Sequence, residues 1–419
     1  IDLEQDGVVQ RSFPPGLDYR GPGIASGSNP TNVTLAWDGR DGNGNSLTGN
    51  VTWVMTAYTS DYVAGHTIND GITSARARLQ DEIHPPSGQV TEISSTSVEM
   101  LDVRNEPIQT PQYRREGERK EPFAIPIRAS FIDRISCKIQ MTVPSDSEAY
   151  FFWGESNGEV LFGPTQHVPL TGVNTIEFVP HLTKIAKYPQ IRWYCTPKSG
   201  GETLSLGTTD APLYAILDTP QFPQRRPRED VVDFAVATQK FNDDTQNELR
   251  IGSFLTTRIY KDSGFIYSED GEAVHTTVSD KEGREMVLKV SNFLEYPGNE
   301  RVEPEANCQD LSNLFQVCAA ALGAPSFEVQ RIDGPFISRP ILPLGPNDWF
   351  TDYEVIFHQV GISVEAGSLF DPTYQLDNGG QPQLPINMKP ADYRLLLQDS
   401  RRKPNQWKVQ TPVRPLEVK

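Results

Sequence analysis

The sequence predicts a multidomain protein with an all-β N-terminal region followed by an α+β C-terminal domain. The chain has 419 residues, which is long for one domain. It contains 34 prolines and 32 glycines, and their clusters between short apolar runs indicate strands joined by turns. After Pro227 the apolar spacing changes from alternating to helical, first over 230–241 and then over 244–260. We therefore expect an extended arm over 1–28, β-domains over 29–118 and 119–220, and the α+β domain over 225–419.

The first β-domain begins with a predicted hairpin. The alternating runs Val33 to Trp37 and Val51 to Met55 flank a turn rich in Asp, Asn and Gly. These Asp and Asn residues are also potential calcium ligands, but the EF-hand spacing is missing, which favours turn chemistry. The stretch from Trp37 to Trp53 resembles a hairpin of bacterial immunoglobulin-like modules, such as those of flagellar hook-capping proteins.

The second β-domain is predicted from strands over 132–143, 149–153, 175–179 and 190–195. Cys137, Trp153 and Cys195 follow one another on three of these strands, an order that resembles the core of an immunoglobulin sandwich. Two alternatives stay open for the cysteines: a Cys137–Cys195 disulfide, or two buried free thiols. The basic cluster Arg114 to Lys120 is interpreted as a solvated linker. For these domains we expect spacing, docking or substrate presentation.

Charge and composition exclude several function classes. A formal net charge of −17 opposes binding to phosphate backbones, so we expect no nucleic-acid partner. No apolar run approaches the roughly 20 residues of a membrane span. The four cysteines lack the close pairs of a zinc site, and we expect neither a metal nor a cofactor. The start at Ile1 and the few lysines suggest a secreted bacterial protein whose leader has been removed, with an extracellular or cell-surface location.

The segment from Asn307 to Gly323 has the signals of a complete helix. Asn307 is a good N-cap residue, Asp310 suits the first turn, and Gly323 can end the helix. Cys308 lies in the first turn, where unpaired backbone N–H groups favour a thiolate and can hold an oxyanion. Cys318 is mid-helix, on the predicted apolar stripe, and is interpreted as a small core residue.

His358 and Asp371 are the predicted partners of this cysteine. His358 lies in an alternating strand over 353–360, and Asp371 follows a turn near Gly367. A hairpin centred between Val364 and Glu365 would make the two residues cross-strand neighbours. A cysteine paired with a histidine that a carboxylate orients is an arrangement for nucleophilic catalysis.

Together these features resemble the transglutaminase-like superfamily over roughly residues 225–400. The resemblance is carried by Asn307-Cys308 at a helix start, the strand with His358-Gln359-Val360, and Phe370-Asp371-Pro372-Thr373. It implies a papain-type core, a triad of Cys308, His358 and Asp371, and acyl transfer on protein or peptide amides through a thioacyl intermediate. It also implies the backbone N–H of Cys308 as the first oxyanion donor, with Asn307 and Asp310 as support. Many members have an aromatic step soon after the histidine, and Gln359-Val360-Gly361 leaves the substrate class open.

A second interpretation belongs to a different functional class. The acidic, turn-rich N-terminal half would suit a structural or adhesive extracellular protein that self-assembles or joins a surface layer. In such a protein the transglutaminase-like domain would serve as a scaffold without catalysis, because a fold does not by itself imply a function.

Overall fold

The structure is a computed structural model in which part of the chain is described. In the N-terminal region it describes the backbone of 2–5, 8–12, 49–57, 62–63, 66–67 and 75–83. Beyond these strands it describes 86–95, 98–108, 110–128, 133–143, 148–236, 247–268, 273–278, 286–290, 294, 305–324, 326–402, 407–410 and 416–418. The predicted strand Val33 to Trp37 and residues 13–28 of the predicted arm lie outside these ranges.

The described chain is rich in strands, as the sequence predicts. The strands before the first helix are β1 Asp2–Gln5, β2 Val8–Ser12, β3 Gly49–Ala57, β4 Tyr62–Val63, β5 His66–Thr67, β6 Ala75–Ile83, β7 Ser87–Ser95, β8 Tyr113–Arg114, β9 Arg119–Lys120, β10 Phe123–Pro126, β11 Ile135–Thr142, β12 Tyr150–Ser156, β13 Glu159–His167, β14 Gly172–Phe178, β15 Ala186–Tyr188, β16 Ile191–Pro197, β17 Leu204–Thr209 and β18 Leu213–Ile216.

Helices enter the chain after β18. The described helices are α1 Glu229–Val236, α2 Glu248–Asp262, α3 Cys308–Ala321 and α4 Pro390–Leu397. The strands among and after them are β19 Ile266–Tyr267, β20 Thr276–Val278, β21 Met286–Leu288, β22 Glu305–Ala306, β23 Phe327–Ile337, β24 Ile341–Pro343, β25 Glu354–Ser363, β26 Ser368–Phe370, β27 Tyr374–Asp377, β28 Pro382–Gln383, β29 Lys408–Gln410 and β30 Leu416–Val418.

Two compact units divide the chain, and each is built from several segments. The first comprises 1–92, 136–178 and 192–209, and the second comprises 93–135, 179–191 and 210–419. This differs from the prediction, in which each domain is one continuous stretch of the sequence. The predicted boundary between 118 and 119 falls inside the antiparallel hairpin of β8 and β9, where Arg114 pairs with Arg119. The basic cluster Arg114 to Lys120 therefore forms a hairpin, because its two ends pair as short strands. Its interpretation as a linker is wrong.

In the first unit, β1 to β3 and β6 form one sheet in the order β2-β1-β3-β6. The predicted strand Val51 to Met55 lies within β3, whose neighbours are β1 and β6. Strand β2, from the predicted arm, is an edge strand of this sheet.

Aromatic side chains fill the core of the first unit. Trp193 of β16 stacks on Phe162 of β13, with ring centroids 5.6 Å apart, and meets Phe178 of β14 at 5.2 Å. Trp153, the expected core tryptophan, is half-buried and stacks on Tyr194 at 5.6 Å. Trp153 is therefore not the core tryptophan of this unit. Side chains alternate along β12, so the strand buries Phe152 and turns Trp153 to the opposite face. The immunoglobulin-like topology stays a prediction.

In the second unit, α3 is the central element. It contacts α1, α2, β23 and β25, and every residue of the helix except Gln316 is buried. The sequence predicts one apolar stripe on this helix, whereas the structure buries its polar residues as well. Strand β25 lies in the sheet β26-β25-β23-β29, beside the helix. The helix ends at the C-cap Leu322, and the following Gly323 has a φ of +76° against the backbone of Asp218.

A glycine allows α3 to approach β25 closely. A Cβ atom at Gly361 would lie 2.5 Å from the ring of Phe315, which is fully buried on α3. That ring is held by Phe370, stacked at 5.9 Å, and by Phe327, edge-on at 5.3 Å. The ring therefore has little freedom to move aside.

We expect Gly361→Ala to lower the free energy of unfolding by about 1–3 kcal/mol, because overpacking forces the ring from its place. Chemical denaturation measures this loss. The matched control is Phe315→Leu, alone and combined with Gly361→Ala. The double variant should lose less than the sum of the single changes, and simple additivity would show that the two sites do not touch.

Candidate active site

Cys308 is the first residue of α3, next to the capping interaction that begins the helix. The side-chain oxygen of Asn307 accepts hydrogen bonds from the backbone N–H groups of Gln309 at 2.9 Å and Asp310 at 3.1 Å. The Asp310 carboxylate accepts the Asn307 N–H at 3.3 Å. This reciprocal cap fixes where the helix begins and hence where Cys308 lies. The side-chain oxygens of Asn307 and Asp310 are acceptors here, so they support the helix start rather than donate to an oxyanion.

Asp310 also holds a neighbouring segment against the helix. Its Oδ2 accepts the Val274 N–H at 2.9 Å, and its Oδ1 accepts the His275 N–H at 3.1 Å. The carboxylate is fully buried, and these backbone donors compensate its charge. His275, which the sequence places in a polar stretch, is itself buried, with Nε2 3.1 Å from the Glu305 carbonyl oxygen. No local sequence signal marks the contact between Val274 and Asp310, because 36 residues separate them.

The structure brings His358 and Asp371 together in a fully buried pair. Nε2 of His358 lies 3.0 Å from Oδ2 of Asp371, and neither side chain is exposed. Because a carboxylate can only accept, Nε2 carries the proton. Asp371 Oδ1 accepts the Thr373 N–H at 2.8 Å, which fixes the orientation of the carboxylate.

The hairpin that joins this pair has a different register from the predicted one. Ser363 pairs with Ser368 and Gly361 with Phe370, so the centre lies between Glu365 and Ala366, one residue later than expected. Continuing this register places Asp371 opposite Val360, two residues from His358. His358 and Asp371 are therefore diagonal neighbours on one face, and they still meet because a shift of two positions preserves the face.

Burial and charge act in opposite directions on the pKa of His358. Burial lowers it, whereas the Asp371 carboxylate and the Cys308 sulfur both raise it through charge and hydrogen bonding. The two partners outweigh burial and raise the pKa of His358 from 6.5 to about 10. The ring is therefore an imidazolium at neutral pH, with the carboxylate at Nε2 and the sulfur nearby.

The second ring nitrogen of His358 is the one left for the sulfur. Nδ1 is buried and makes no well-aligned hydrogen bond among the described residues. The effect of Cys308 on the His358 pKa thus comes from a nearby sulfur whose hydrogen-bond geometry is loose. Catalytic contacts are often poorly aligned before substrate binds.

Tyrosines surround the pair, and sequence reasoning did not identify them. Tyr374 stacks on the His358 ring, with centroids 4.8 Å apart and planes at 24°. The Tyr374 hydroxyl donates to the Tyr267 hydroxyl, and Tyr393 donates to Asp371 Oδ2 at 2.7 Å. Burial first, and then neighbouring negative groups, raise the pKa of all three phenols, which stay neutral donors. Tyr374 lies just after the Asp-Pro-Thr motif, but Tyr267 and Tyr393 carry no local signal.

The other cysteines take no part in this site. All four cysteines are described, and all are free, so the Cys137–Cys195 disulfide is not formed and the alternative of two buried thiols applies. Burial raises the pKa of Cys195 to about 12, and burial followed by Glu177 raises that of Cys137. Cys318 is buried within α3, as predicted, and burial raises its pKa as well.

Comparison with protein-family models and with curated proteins finds no match to this chain. Among the described helices, none is both long and apolar enough to cross a membrane. Within the described residues, no three acidic, histidine or cysteine side chains are grouped so that they could hold a metal ion.

Loss of the Asp310 carboxylate should weaken both the fold and the site. We expect Asp310→Ala to lower the free energy of unfolding by about 2 kcal/mol or more, because several buried N–H groups lose their acceptor. Asp392 is the matched control, since it occupies the first turn of α4 but is exposed. Asp392→Ala should change the free energy by less than about 0.5 kcal/mol. Chemical denaturation measures both changes. Equal effects of the two substitutions would contradict a stabilising role for the hydrogen bonds that the Asp310 carboxylate accepts.

The positive charge on His358 should increase the free energy of unfolding at neutral pH, and this contribution should disappear at high pH. Because folding raises its pKa from 6.5 to about 10, this stability is complete below pH 6.5 and is lost as the pH rises through 10. Removing the sulfur should lower the folded pKa, since Cys308 raises it. The measurement is an NMR titration of the His358 ring nitrogens in the wild type and in Cys308→Ala. An unchanged midpoint in the variant would mean that the sulfur does not face the ring.

Proposed function

We propose that this chain is a transglutaminase-like cysteine acyltransferase or hydrolase that acts on protein or peptide amides. The observation that carries the proposal is the fully buried His358 ring, bonded at 3.0 Å to Asp371, with Cys308 at a helix start near enough to raise the His358 pKa. An imidazolium beside a thiol at a helix N-terminus favours the thiolate, which is the nucleophilic form of cysteine. The resemblance of the sequence to the superfamily points to the same chemistry.

Acylation would begin with attack of the Cys308 sulfur on the amide carbonyl carbon. A C–S bond forms, and the carbonyl oxygen becomes an oxyanion that the backbone N–H of Cys308 would stabilise, since the N–H groups of Gln309 and Asp310 already bond the Asn307 cap. The C–N bond then breaks, and the leaving amine takes a proton from the His358 imidazolium. Asp371 would hold the ring through Nε2, which leaves Nδ1 as the nitrogen available to the sulfur.

Deacylation would return the enzyme to its starting state. An amine or a water molecule attacks the thioacyl carbon, passes a proton to His358, and the C–S bond breaks. Attack by an amine gives cross-linking, and attack by water gives hydrolysis. We further propose that the N-terminal β-region, as immunoglobulin-like modules, spaces or presents substrate for an extracellular or cell-surface enzyme.

One observation favours the scaffold alternative. Cys308 is 3% exposed, and His358 and Asp371 are fully buried. If no substrate carbonyl can reach the thiol, the domain has no catalytic role. It would then be a structural part of an extracellular assembly, with self-assembly or surface-layer partners. The alternative differs from the enzyme in one measurable property, the reactivity of Cys308.

Incubation with a glutamine-containing protein and a fluorescent primary amine tests the proposal. We expect covalent incorporation of the amine, or release of ammonia or new peptide termini without it. Cys308→Ala should reduce any of these by about 1,000-fold or more, because the mechanism forms its thioacyl bond through the Cys308 sulfur. Product analysis by mass spectrometry separates cross-linking, deamidation and peptide cleavage.

Cys318→Ala is the matched control, since it removes a buried thiol from the same helix and should leave turnover intact. Iodoacetamide labelling measures the reactivity of Cys308 without a substrate. A wild-type Cys308 that reacts no faster than a small-molecule thiol, together with no turnover, would support the scaffold and reject the enzyme.

A further inference from the structure

Helix α4 brings a fourth side chain to the His358–Asp371 pair. Tyr393 is fully buried on α4, and its hydroxyl donates to Asp371 Oδ2 at 2.7 Å. His358 Nε2 donates to the same oxygen at 3.0 Å. Two donors therefore share one carboxylate oxygen in a fully buried site.

Backbone pairing holds α4 in this position. The Leu369 and Met388 backbones exchange hydrogen bonds at 2.8 and 3.0 Å, and the Asp371 N–H donates to the Pro385 carbonyl at 3.0 Å. The segment that carries Asp371 is thus tied to the segment that leads into α4. The Tyr393 ring also packs edge-on near Trp407, with centroids 6.4 Å apart. The contact between Tyr393 and Asp371 is built into the fold and does not depend on an exposed side chain.

From this geometry we infer that Tyr393 is a positioning residue that sets how readily His358 gives up its proton, acting through Asp371. The inference rests on the proposed function, in which His358 protonates the leaving amine. A donor on Oδ2 stabilises the carboxylate most when the neighbouring ring is neutral, because the carboxylate then has no cation beside it. Tyr393 therefore favours release of the proton.

Removal of the hydroxyl should separate the two steps of catalysis. Without Tyr393, the carboxylate depends more on the imidazolium, so the ring holds its proton more tightly. The imidazolium would still stabilise the Cys308 thiolate, and attack on carbon would persist. Proton delivery to the leaving amine would slow, because a weaker acid transfers its proton less readily.

Other titratable groups also face this pair, and they stay in place in the experiment. They come from four elements packed around it: Cys308 from α3, Tyr374 from β27, Tyr267 from β19 and Tyr260 from α2. Tyr393→Phe keeps the ring and removes one oxygen, so a change in the His358 titration reports on the hydroxyl.

The test compares Tyr393→Phe with Tyr214→Phe in the full chain. Tyr214 is the matched control, because its buried hydroxyl donates to Asp233 at 2.8 Å, away from the triad. Three quantities are measured: the NMR titration midpoint of His358, the rate of Cys308 alkylation by iodoacetamide, and the turnover of a glutamine-containing protein with a fluorescent amine.

For Tyr393→Phe we expect the His358 midpoint to rise by about half a pH unit or more. Alkylation should stay within about twofold of the wild type, and turnover should fall about tenfold. Tyr214→Phe should leave all three unchanged. An unchanged His358 midpoint, a parallel loss of alkylation and turnover, or loss of the fold in Tyr393→Phe would show a purely structural hydroxyl and overturn the inference.

Failure of the proposed function gives a different result. A wild-type chain without turnover would reject the enzyme, whereas the NMR titration would still decide whether Tyr393 acts on His358. A wild-type chain that turns over substrate, with an unchanged titration in Tyr393→Phe, would retain the enzyme and reject the role of Tyr393.

Discussion

The ion pair between His358 and Asp371 is the constraint on which the arrangement of the second unit depends. Both groups are fully buried, and an isolated buried charge costs far more than a domain's net stability. The pair is tolerated because Asp371 receives bonds from His358, from the Thr373 N–H and from Tyr393, so its charge is shared among three donors. These donors come from β25, the chain before β27, and α4. The pair therefore ties three separate segments together.

The position of Cys308 depends on a second buried carboxylate. Asp310 closes the start of α3 and holds the segment of Val274 and His275 beside it. The close packing of α3 on β25 at Gly361 then sets the distance between the helix and the strand that carries His358. A shift of either element would separate sulfur from imidazole, and a displacement of about 1 Å can lower a catalytic rate 100-fold. The polar burial of α3, which is unusual for a helix, is thus explained by what the helix must hold in place.

The sequence predicts the parts of this site whose signals are local. The helix start follows from Asn307 and Asp310, and its end from Gly323, so α3 is predicted almost to the residue. His358 and Asp371 are identified from alternation and a turn, although the centre of the hairpin lies one residue later than expected, because Ser363 pairs with Ser368. Tyr393 and His275 are not identified, since their partners lie 22 and 35 residues away and only tertiary packing brings them together. The interleaved segments of the two units are missed for the same reason, because no local pattern records which strands pair.

The burial of Cys308 decides what the site must do to act as an enzyme. At 3% exposure the sulfur lies in a low-dielectric setting, which strengthens its interaction with the imidazolium. The same burial keeps an amide carbonyl from the sulfur, so turnover requires an open form of the site. A form populated one time in a hundred costs about 2.7 kcal/mol, and it would reduce the apparent affinity for substrate by the same factor of 100. A substrate that contacts the open form alone could recover this cost from its own binding, and the closed form would protect the sulfur from unwanted alkylation and oxidation. The buried pair is thus compatible with a selective enzyme as well as with a scaffold, and the two are separated by whether opening occurs.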